Sequence, residues 1–337
     1  MMVHRILCIT AAVLSLARLS LAAEPPLCSG KNMLAELATS APRLSARLMT
    51  AEKIIPNGQA ILWRITDKTG KAPPSHLFGT IHLTDPRVHA LPDAARDAID
   101  KASRVALEAK EAVDPTELAR AFLRNGRFTA MPLGQDMWDL IPDADESFIR
   151  SAPQIPEERM ITLGSVQPWV TTFSLSYPMC EIARQKAGLP FLDRAIGQMA
   201  LARGIPVVGL EKIEEQLAVL AGAPLEDQAR LLVAVAKYGK HLEDMMETYE
   251  QLYLERRISS LWLLSMQGVP SDEIDPRIWA YIEDMMINKR NRLMLERSLP
   301  LLASGNAFIA VGAAHLPGDQ GLVELIRKAG YEVTPVN

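Results

Sequence analysis

The feature that most constrains the fold of this chain is a set of short apolar runs near both of its ends. Residues 76–81, 104–107, 207–210 and 307–311 are predominantly apolar, and long helical patterns separate them. Short, nearly continuous runs of this kind are typical of parallel strands that are buried on both faces. We therefore predict an α/β fold with a mostly parallel central sheet assembled from both ends of the chain, and a helical insertion at roughly residues 112–190.

The flanking segments complete this outline. Residues 60–66 read as a strand joined by a turn to residues 76–81, and residues 331–336 as a last strand at a sheet edge. Residues 31–49 carry apolar side chains at helical spacing and predict one amphipathic helix. Residues 212–267 predict two or three further helices.

Two of the predicted strands share a motif. Gly79 is followed three positions later by His82, Gly312 is followed in the same way by His315, and a leucine comes after each histidine. The whole chain has only 6 histidines, so two in the same context are informative. A glycine at the end of a parallel strand permits a sharp turn and close backbone approach. The histidine is then delivered to the crevice beyond the carboxyl ends of the strands, where ligands bind in α/β folds.

Two other predicted strands end in a carboxylate, Glu108 in one and Glu211 in the other. A charged group directly after a core strand is costly to bury unless it is paired or coordinated. Each such residue alone is usually structural, as a helix cap or a salt-bridge partner. Together with His82 and His315 at one sheet edge, they predict a divalent metal site or a metal-free acid/base pair that activates water.

Arg290 is out of place in its helix because it lies on an apolar stripe with Ile282, Met286 and Met294 at successive i, i+4 positions. One interpretation is that Arg290, with Asn291 beside it, reaches the crevice to hold a carboxylate or to stabilise an oxyanion. The other is that its aliphatic stem crosses the stripe and its charged head reaches solvent. The pattern leaves both open.

The first residues have the features of a secretory signal peptide: a basic start, an apolar run and a small-x-small site for cleavage after Ala22. The alternative is an uncleaved anchor, but the run is shorter than the roughly 20 residues that span a bilayer. No later segment is long and apolar enough to cross a membrane. We expect residues 1–22 to be removed and residues 23–337 to form a single domain that is periplasmic or extracellular.

Two cysteines, Cys28 and Cys180, remain after this cleavage. In an oxidising compartment a disulfide between them is the default, and two unpaired thiols are the alternative.

The charge of the chain excludes one class of partner. Lys and Arg total 36 against 40 for Asp and Glu, a net charge of −4 without a basic block. Nucleic acid is therefore not an expected partner.

These residues together resemble the TraB/GumN family, and the resemblance covers nearly the whole mature chain. It implies a fold like that of the erythromycin esterase and haem-binding ChaN proteins, with a core built from two related halves. It also implies kinship with the Tiki proteins, which are described as divalent-metal-dependent proteases. The resemblance is carried by the two Gly-x-x-His motifs, Glu108, residues 209–211 and 215–216, Arg290 with Asn291, residues 311–318 and 330–331, residues 28–31, Trp63 and residues 168–169.

The resemblance also assigns roles to single residues. It implies that His82 and His315 are metal ligands, that Glu108 is a ligand or a general base, and that Arg290 gives electrostatic support. Glu211 falls in the family pattern, either at the metal or as a brace for the helix that follows it. The metal, which we expect to be manganese, cobalt or zinc, would lower the pKa of a bound water so that it can attack an amide.

Three functions are compatible with these observations. The first is a metal-dependent hydrolase, peptidase-like, that acts on peptides or envelope proteins. The second is a protein that binds a peptide or a cofactor such as haem in the same crevice without catalysis. The third is an accessory role in surface polysaccharide biosynthesis, against which the low aromatic content of 5% counts.

Overall fold

The computed structural model of the chain describes residues 28–267 and 275–336. The predicted signal peptide, residues 1–22, lies outside these described residues. Within them, six strands form one sheet. The strands are β1 Leu62–Asp67, β2 Ser75–Thr80, β3 Arg104–Ala109, β4 Val207–Glu211, β5 Ala307–Gly312 and β6 Tyr331–Pro335.

The sheet has the strand order β4-β3-β5-β2-β1-β6. The pairs β4-β3, β3-β5 and β5-β2 are parallel, whereas β1 pairs antiparallel with both β2 and β6. The prediction of an α/β fold with a mostly parallel sheet is confirmed. β5, from near the end of the chain, lies between β3 and β2, so both ends of the chain contribute strands to the centre of the sheet. β6 is an edge strand, as expected.

Helices cover both faces of this sheet. The described residues also include 3-10 turns at Lys110–Val113 and Ala313–His315 and a π-helical stretch at Glu283–Asn288. None of the described helices is both long enough and apolar enough to cross a bilayer. The α-helices are α1 Leu34–Ser40, α2 Pro42–Ile54, α3 Asp93–Lys101, α4 Pro115–Arg124, α5 Asp143–Arg150, α6 Glu157–Leu163, α7 Pro168–Leu175, α8 Met179–Lys186, α9 Leu192–Ala202, α10 Ile213–Ala221, α11 Leu225–Tyr238, α12 Leu242–Leu254, α13 Ile258–Gln267, α14 Pro276–Ile282, α15 Lys289–Ser304 and α16 Leu322–Lys328.

The core is divided between the two faces of the sheet because successive side chains of a strand point to opposite sides. Phe78 and Phe308 pack on one face, in a cluster that includes Ile196 of α9. Their neighbours in the chain, Leu77 and Ile309, pack on the other face against α15 and α16. This burial on both faces explains why the central strands read as nearly continuous apolar runs.

Two helix predictions are corrected. Residues 31–49 do not form one helix: α1 ends at Ser40 and α2 begins at Pro42. Ala41 between them has φ −137° and ψ 62°, because a residue before proline is sterically kept out of the α region. Residues 212–267, all of them described, hold four helices, α10 to α13, where two or three were expected.

The predicted disulfide is confirmed: Cys28 is bonded to Cys180 of α8, across a sequence separation of 152. The residues after Cys28 run along α12, where the Lys31 amide donates to Asp244 Oδ1 at 2.7 Å. Glu181, next to Cys180, accepts hydrogen bonds from the backbone N–H and the hydroxyl of Thr84 at 3.0 and 2.8 Å. The disulfide thus anchors a helix that holds the loop after β2.

Candidate active site

The two histidine loops leave neighbouring parallel strands at the same edge of the sheet. Thr80 at the end of β2 is paired with Gly312 at the end of β5. A Cβ atom built onto Gly312 would lie 3.1 Å from Oε1 of Glu108. The same atom would lie 3.6 Å from Cδ2 of His315 and 3.9 Å from Nε2 of His82. Three of the predicted site residues therefore surround one small space, which the absent side chain of Gly312 leaves open.

The motif glycines serve close approach rather than a left-handed turn. Gly312 has φ −52°, and Gly79 is not among the glycines with positive φ. A Cβ atom on Gly79 would come within 2.6 Å of Leu316 Cδ1 and 3.1 Å of Ala313 Cα. Gly79 thus lets the second histidine loop pack directly on β2, whereas Gly312 keeps the space between the site side chains free.

His315 is buried and held by Asn291 of α15. Its Nδ1 lies 2.7 Å from Asn291 Oδ1, and the Asn291 amide donates to the carbonyl of Gln320 at 2.8 Å. Because that amide donates to a carbonyl, Oδ1 is the acceptor and His315 carries its proton on Nδ1. Nε2 is then left with its lone pair, 3.7 Å from Oε1 of Glu108. Asn291 therefore orients His315. The sequence pattern had instead suggested that Asn291, beside Arg290, contacts a bound carboxylate or oxyanion.

His82 is held by a residue that the sequence analysis missed, Asp193 in the first turn of α9. Nδ1 of His82 lies 2.8 Å from Asp193 Oδ2, and the hydroxyl of Thr80 donates to Asp193 Oδ1 at 2.6 Å. Asp193 is 4% exposed, whereas the side chain of His82 is 50% exposed. An acidic residue in the first turn of a helix is common, so its sequence context carried little signal.

Arg290 joins the two strand-end carboxylates. Its guanidinium donates to Glu108 Oε2 at 2.6 Å and to Glu211 Oε2 at 2.7 Å. The Arg290 side chain is only 11% exposed, so its charged head does not reach solvent. Gln216 of α10 donates to Glu211 at 3.1 Å, and the backbone N–H of Gly312 donates to Glu108 Oε1 at 2.6 Å. Glu211 therefore contacts Arg290 and the following helix, whereas Glu108 faces both Arg290 and the histidines.

These contacts give the site residues different charges at neutral pH. Burial alone would raise the pKa of Glu108, but the charges of Arg290 and His82 and the backbone N–H of Gly312 lower it well below its usual range. Asp193 raises the pKa of His82 to about 9. Burial lowers the pKa of His315 to about 3. Without a metal, Glu108 is thus ionised, His82 is an imidazolium and His315 is neutral.

The donor set fits a divalent metal in its chemistry. Two imidazole Nε2 atoms and one carboxylate oxygen face the space beside Gly312, and each histidine is fixed through Nδ1 by an oxygen acceptor, as metal-bound histidines are. Donors around a tetrahedral metal lie roughly 3.3 Å apart, close to the 3.7 Å between His315 Nε2 and Glu108 Oε1. In residues 28–267 and 275–336, no three His, Cys, Asp or Glu side chains are already grouped closely enough to hold a metal.

Comparison with known proteins connects the chain to one family. The sequence profile of the TraB/PrgY/gumN family matches residues 61–335. Metalloprotease TIKI1 of Danio rerio is 25% identical over 321 residues, covering 81% of this chain and 62% of that protein. Metalloprotease TIKI1 of Homo sapiens is 24% identical over 331 residues, covering 81% and 61%.

A shorter relative is the uncharacterized protein YbaP of Escherichia coli (strain K12), 24% identical over 261 residues that cover 75% of this chain and 87% of that protein. This chain spans about three fifths of the length of the TIKI relatives. No solved structure matches it.

Proposed function

This chain belongs to the TraB/PrgY/gumN family, and on that premise we propose that it is a metal-dependent hydrolase that cleaves peptide bonds. The observation that carries the proposal is the convergence of His82, His315 and Glu108 on the space beside Gly312. The metalloprotease names of the TIKI relatives support the reaction class. Among the described residues the three donors are not yet grouped closely enough to hold a metal, so they would have to move closer together when one binds.

In this proposal His82, His315 and Glu108 would hold the metal. When bound, a divalent ion would lower the pKa of a water molecule at the site toward 7 and so provide a nucleophile at neutral pH. The low pKa of Glu108 suits a ligand better than a general base, whose pKa should lie near the working pH. Arg290 keeps Glu108 ionised and in place.

The residues behind the donors set their protonation. Asn291 holds the proton of His315 on Nδ1, which leaves Nε2 free to donate its lone pair. His82 must release a proton before it can bind a metal, because Asp193 raises its pKa to about 9. Glu211 lies on the other side of Arg290, and we assign it a supporting role.

We also propose a location, a substrate class and a fold relationship for this chain. The Cys28–Cys180 disulfide supports an oxidising compartment, consistent with removal of residues 1–22 and a periplasmic or extracellular domain of residues 23–337. The substrate class is then a peptide or an envelope protein. A fold like that of the erythromycin esterase and ChaN proteins, with two related halves and a helical insertion at residues 112–190, belongs to the same proposal.

Hydrolysis of a mixed peptide library tests this function. The purified mature protein is stripped with a chelator, supplied with manganese, cobalt or zinc, and the products are identified by mass spectrometry. We expect cleavage with at least one metal, none in chelator, and none from His82→Ala or His315→Ala. His241→Ala, which changes a histidine outside the site, should cleave as the wild type does. Equal cleavage in chelator would contradict metal dependence, and no cleavage under any condition would contradict the hydrolase.

A further inference from the structure

A cavity of about 410 Å³ opens directly beside the candidate site residues. His82, Glu108 and Arg290 contribute to its lining, so whatever fills it lies next to the reacting groups. Its volume is at the small end of the range for ligand pockets, roughly 300–1,000 Å³. It is large enough for one or two large side chains and too small for a folded segment.

The other walls of the cavity are mainly apolar and aromatic. Most of them come from α4, α7 and α10, and the segment before α9, the turn at Lys110–Val113 and the end of β3 also contribute. Large apolar and aromatic side chains of these walls are Phe122, Phe173, Phe191, Leu217 and Leu220. The two phenylalanines of α4 and α7 are 38% and 56% exposed, respectively. Aromatic rings left exposed around a concave surface are typical of a binding site.

The charges at this surface do not favour an ionic occupant. The guanidinium of Arg290 is already paired with both Glu108 and Glu211. The imidazolium of His82 is paired with Asp193 at 2.8 Å. Arg194, also in the lining, lies over the ring of Phe191 at 4.7 Å and donates to a backbone carbonyl at 2.8 Å. The cavity therefore offers apolar contact area rather than an unpaired charge.

We propose that this cavity is a specificity subsite that takes a bulky apolar or aromatic side chain next to the bond to be cleaved. The inference rests on the proposed function, because it assigns the occupant to a peptide substrate. Because the cavity is continuous with His82 and Glu108, the group that fills it is part of the substrate. Because its walls are apolar, that group is an apolar side chain. Peptides with glycine, alanine or a charged residue at that position bind and react less well.

Ala112 offers a substitution that fills the cavity without touching the site residues. It lines the cavity and is only partly buried, so the ring of Ala112→Phe can extend into open space. One missing methylene group in a well-fitting apolar pocket already changes reactivity by roughly 10–200-fold. We expect the wild type to cleave phenylalanine peptides at least about tenfold faster than alanine peptides. In Ala112→Phe this ratio should fall to about one.

A second variant keeps the test valid if Ala112→Phe does not fold. Phe173→Asp places a carboxylate at the mouth of the cavity, on a side chain that is 56% exposed. This variant should lower the binding and cleavage of the phenylalanine peptide at least about tenfold. The matched control is Leu123→Asp, which is also on an exposed surface, at 82%, but does not line the cavity, and it should behave as the wild type.

The experiment uses peptides of the form Gly-Gly-X-Gly-Gly, with X as phenylalanine, leucine, alanine or aspartate. Cleavage is followed by mass spectrometry, and binding by calorimetry with analogues whose peptide bonds are N-methylated and resist hydrolysis. Laurate serves as a competing apolar ligand. A preference for phenylalanine or leucine that both variants remove supports the subsite.

The two readouts separate the subsite from the proposed function. Cleavage without preference, or with a preference that the variants leave intact, overturns the subsite and keeps the hydrolase. Selective binding of the phenylalanine analogue without cleavage of any peptide supports the subsite and contradicts the hydrolase. Equal binding of all four analogues without cleavage overturns the subsite. A higher affinity for laurate than for any peptide analogue overturns it as well.

Discussion

Replacing Arg290 with methionine should destabilise the protein strongly, because it removes the countercharge of two buried carboxylates. Glu108 and Glu211 are 10% and 1% exposed in their side chains, and both accept hydrogen bonds from the same guanidinium. Methionine preserves the apolar stripe and the helix. Breaking a buried ion pair from one side typically costs about 3–5 kcal/mol, since the remaining charge stays uncompensated.

The loss should depend on pH. In the wild type, the depressed pKa of Glu108 contributes stability that is present above the unfolded value of about 4.3 and is lost as the pH falls through the folded value. In Arg290→Met, burial raises the pKa of Glu108, so the variant instead loses stability as the pH rises through that higher value. The difference between the two proteins therefore grows from pH 4 to pH 8.

Urea denaturation at pH 5 and pH 8 measures this difference. At pH 8 we expect about 3–5 kcal/mol less stability for Arg290→Met, or a melting temperature lower by roughly 6–10 °C. Adding Glu211→Gln should restore part of the loss, because it removes one of the two stranded charges. Arg292→Met is the matched control: Arg292 is 51% exposed and 3.8 Å from Asp284, so it should change stability by less than about 0.5 kcal/mol.

An Arg290→Met variant that is as stable as the wild type at pH 8, or more stable, would contradict this prediction. That result would mean that the two carboxylates do not depend on the guanidinium, and that the stem of Arg290 matters only for covering the apolar stripe.

Three further outcomes follow from the site and the disulfide. Gly312→Ala places a Cβ atom 3.9 Å from Nε2 of His82 and should lower peptide hydrolysis at least about tenfold, whereas Gly126→Ala, where nothing lies within 4 Å, should leave the rate unchanged. Asp193→Asn should bring the pKa of His82 in the metal-free protein down from about 9 toward 6.5, as measured by NMR titration. In the wild type, the ion pair of His82 and Asp193 stabilises the fold below pH 6.5, and this stabilisation is lost as the pH rises through 9. The variant should lack this stabilisation. Cys28→Ser opens a loop with a sequence separation of 152 and should lower the unfolding free energy by about 4–5 kcal/mol, measured by urea denaturation without reductant.

The sequence was sufficient to predict the strands and the residues at their ends, because these signals are local. Burial on both faces makes a central strand apolar along its length, and the residue after such a strand lies at the edge of the sheet. His82, Glu108 and His315 could therefore be expected together. The insertion of β5 between β3 and β2 was not predictable in the same way, since strand order depends on contacts between distant segments.

The residues that hold the site were harder to predict. Asp193 fixes His82 from the first turn of α9, where an acidic residue has an ordinary structural explanation. Asn291 was selected for its place beside Arg290, and only the folded chain shows that it contacts His315. Arg290 was ambiguous because its partners, Glu108 and Glu211, are 182 and 79 positions away in the chain.

Metal stoichiometry tests the central claim most directly. Equilibrium dialysis of the purified protein against manganese, cobalt or zinc, followed by elemental analysis, should find one ion per chain in the wild type and in His241→Ala. For His82→Ala and for His315→Ala the affinity should fall by at least about 100-fold. Wild-type protein that retains no ion, or histidine variants that retain as much as the wild type, would contradict a metal centre built on these two residues.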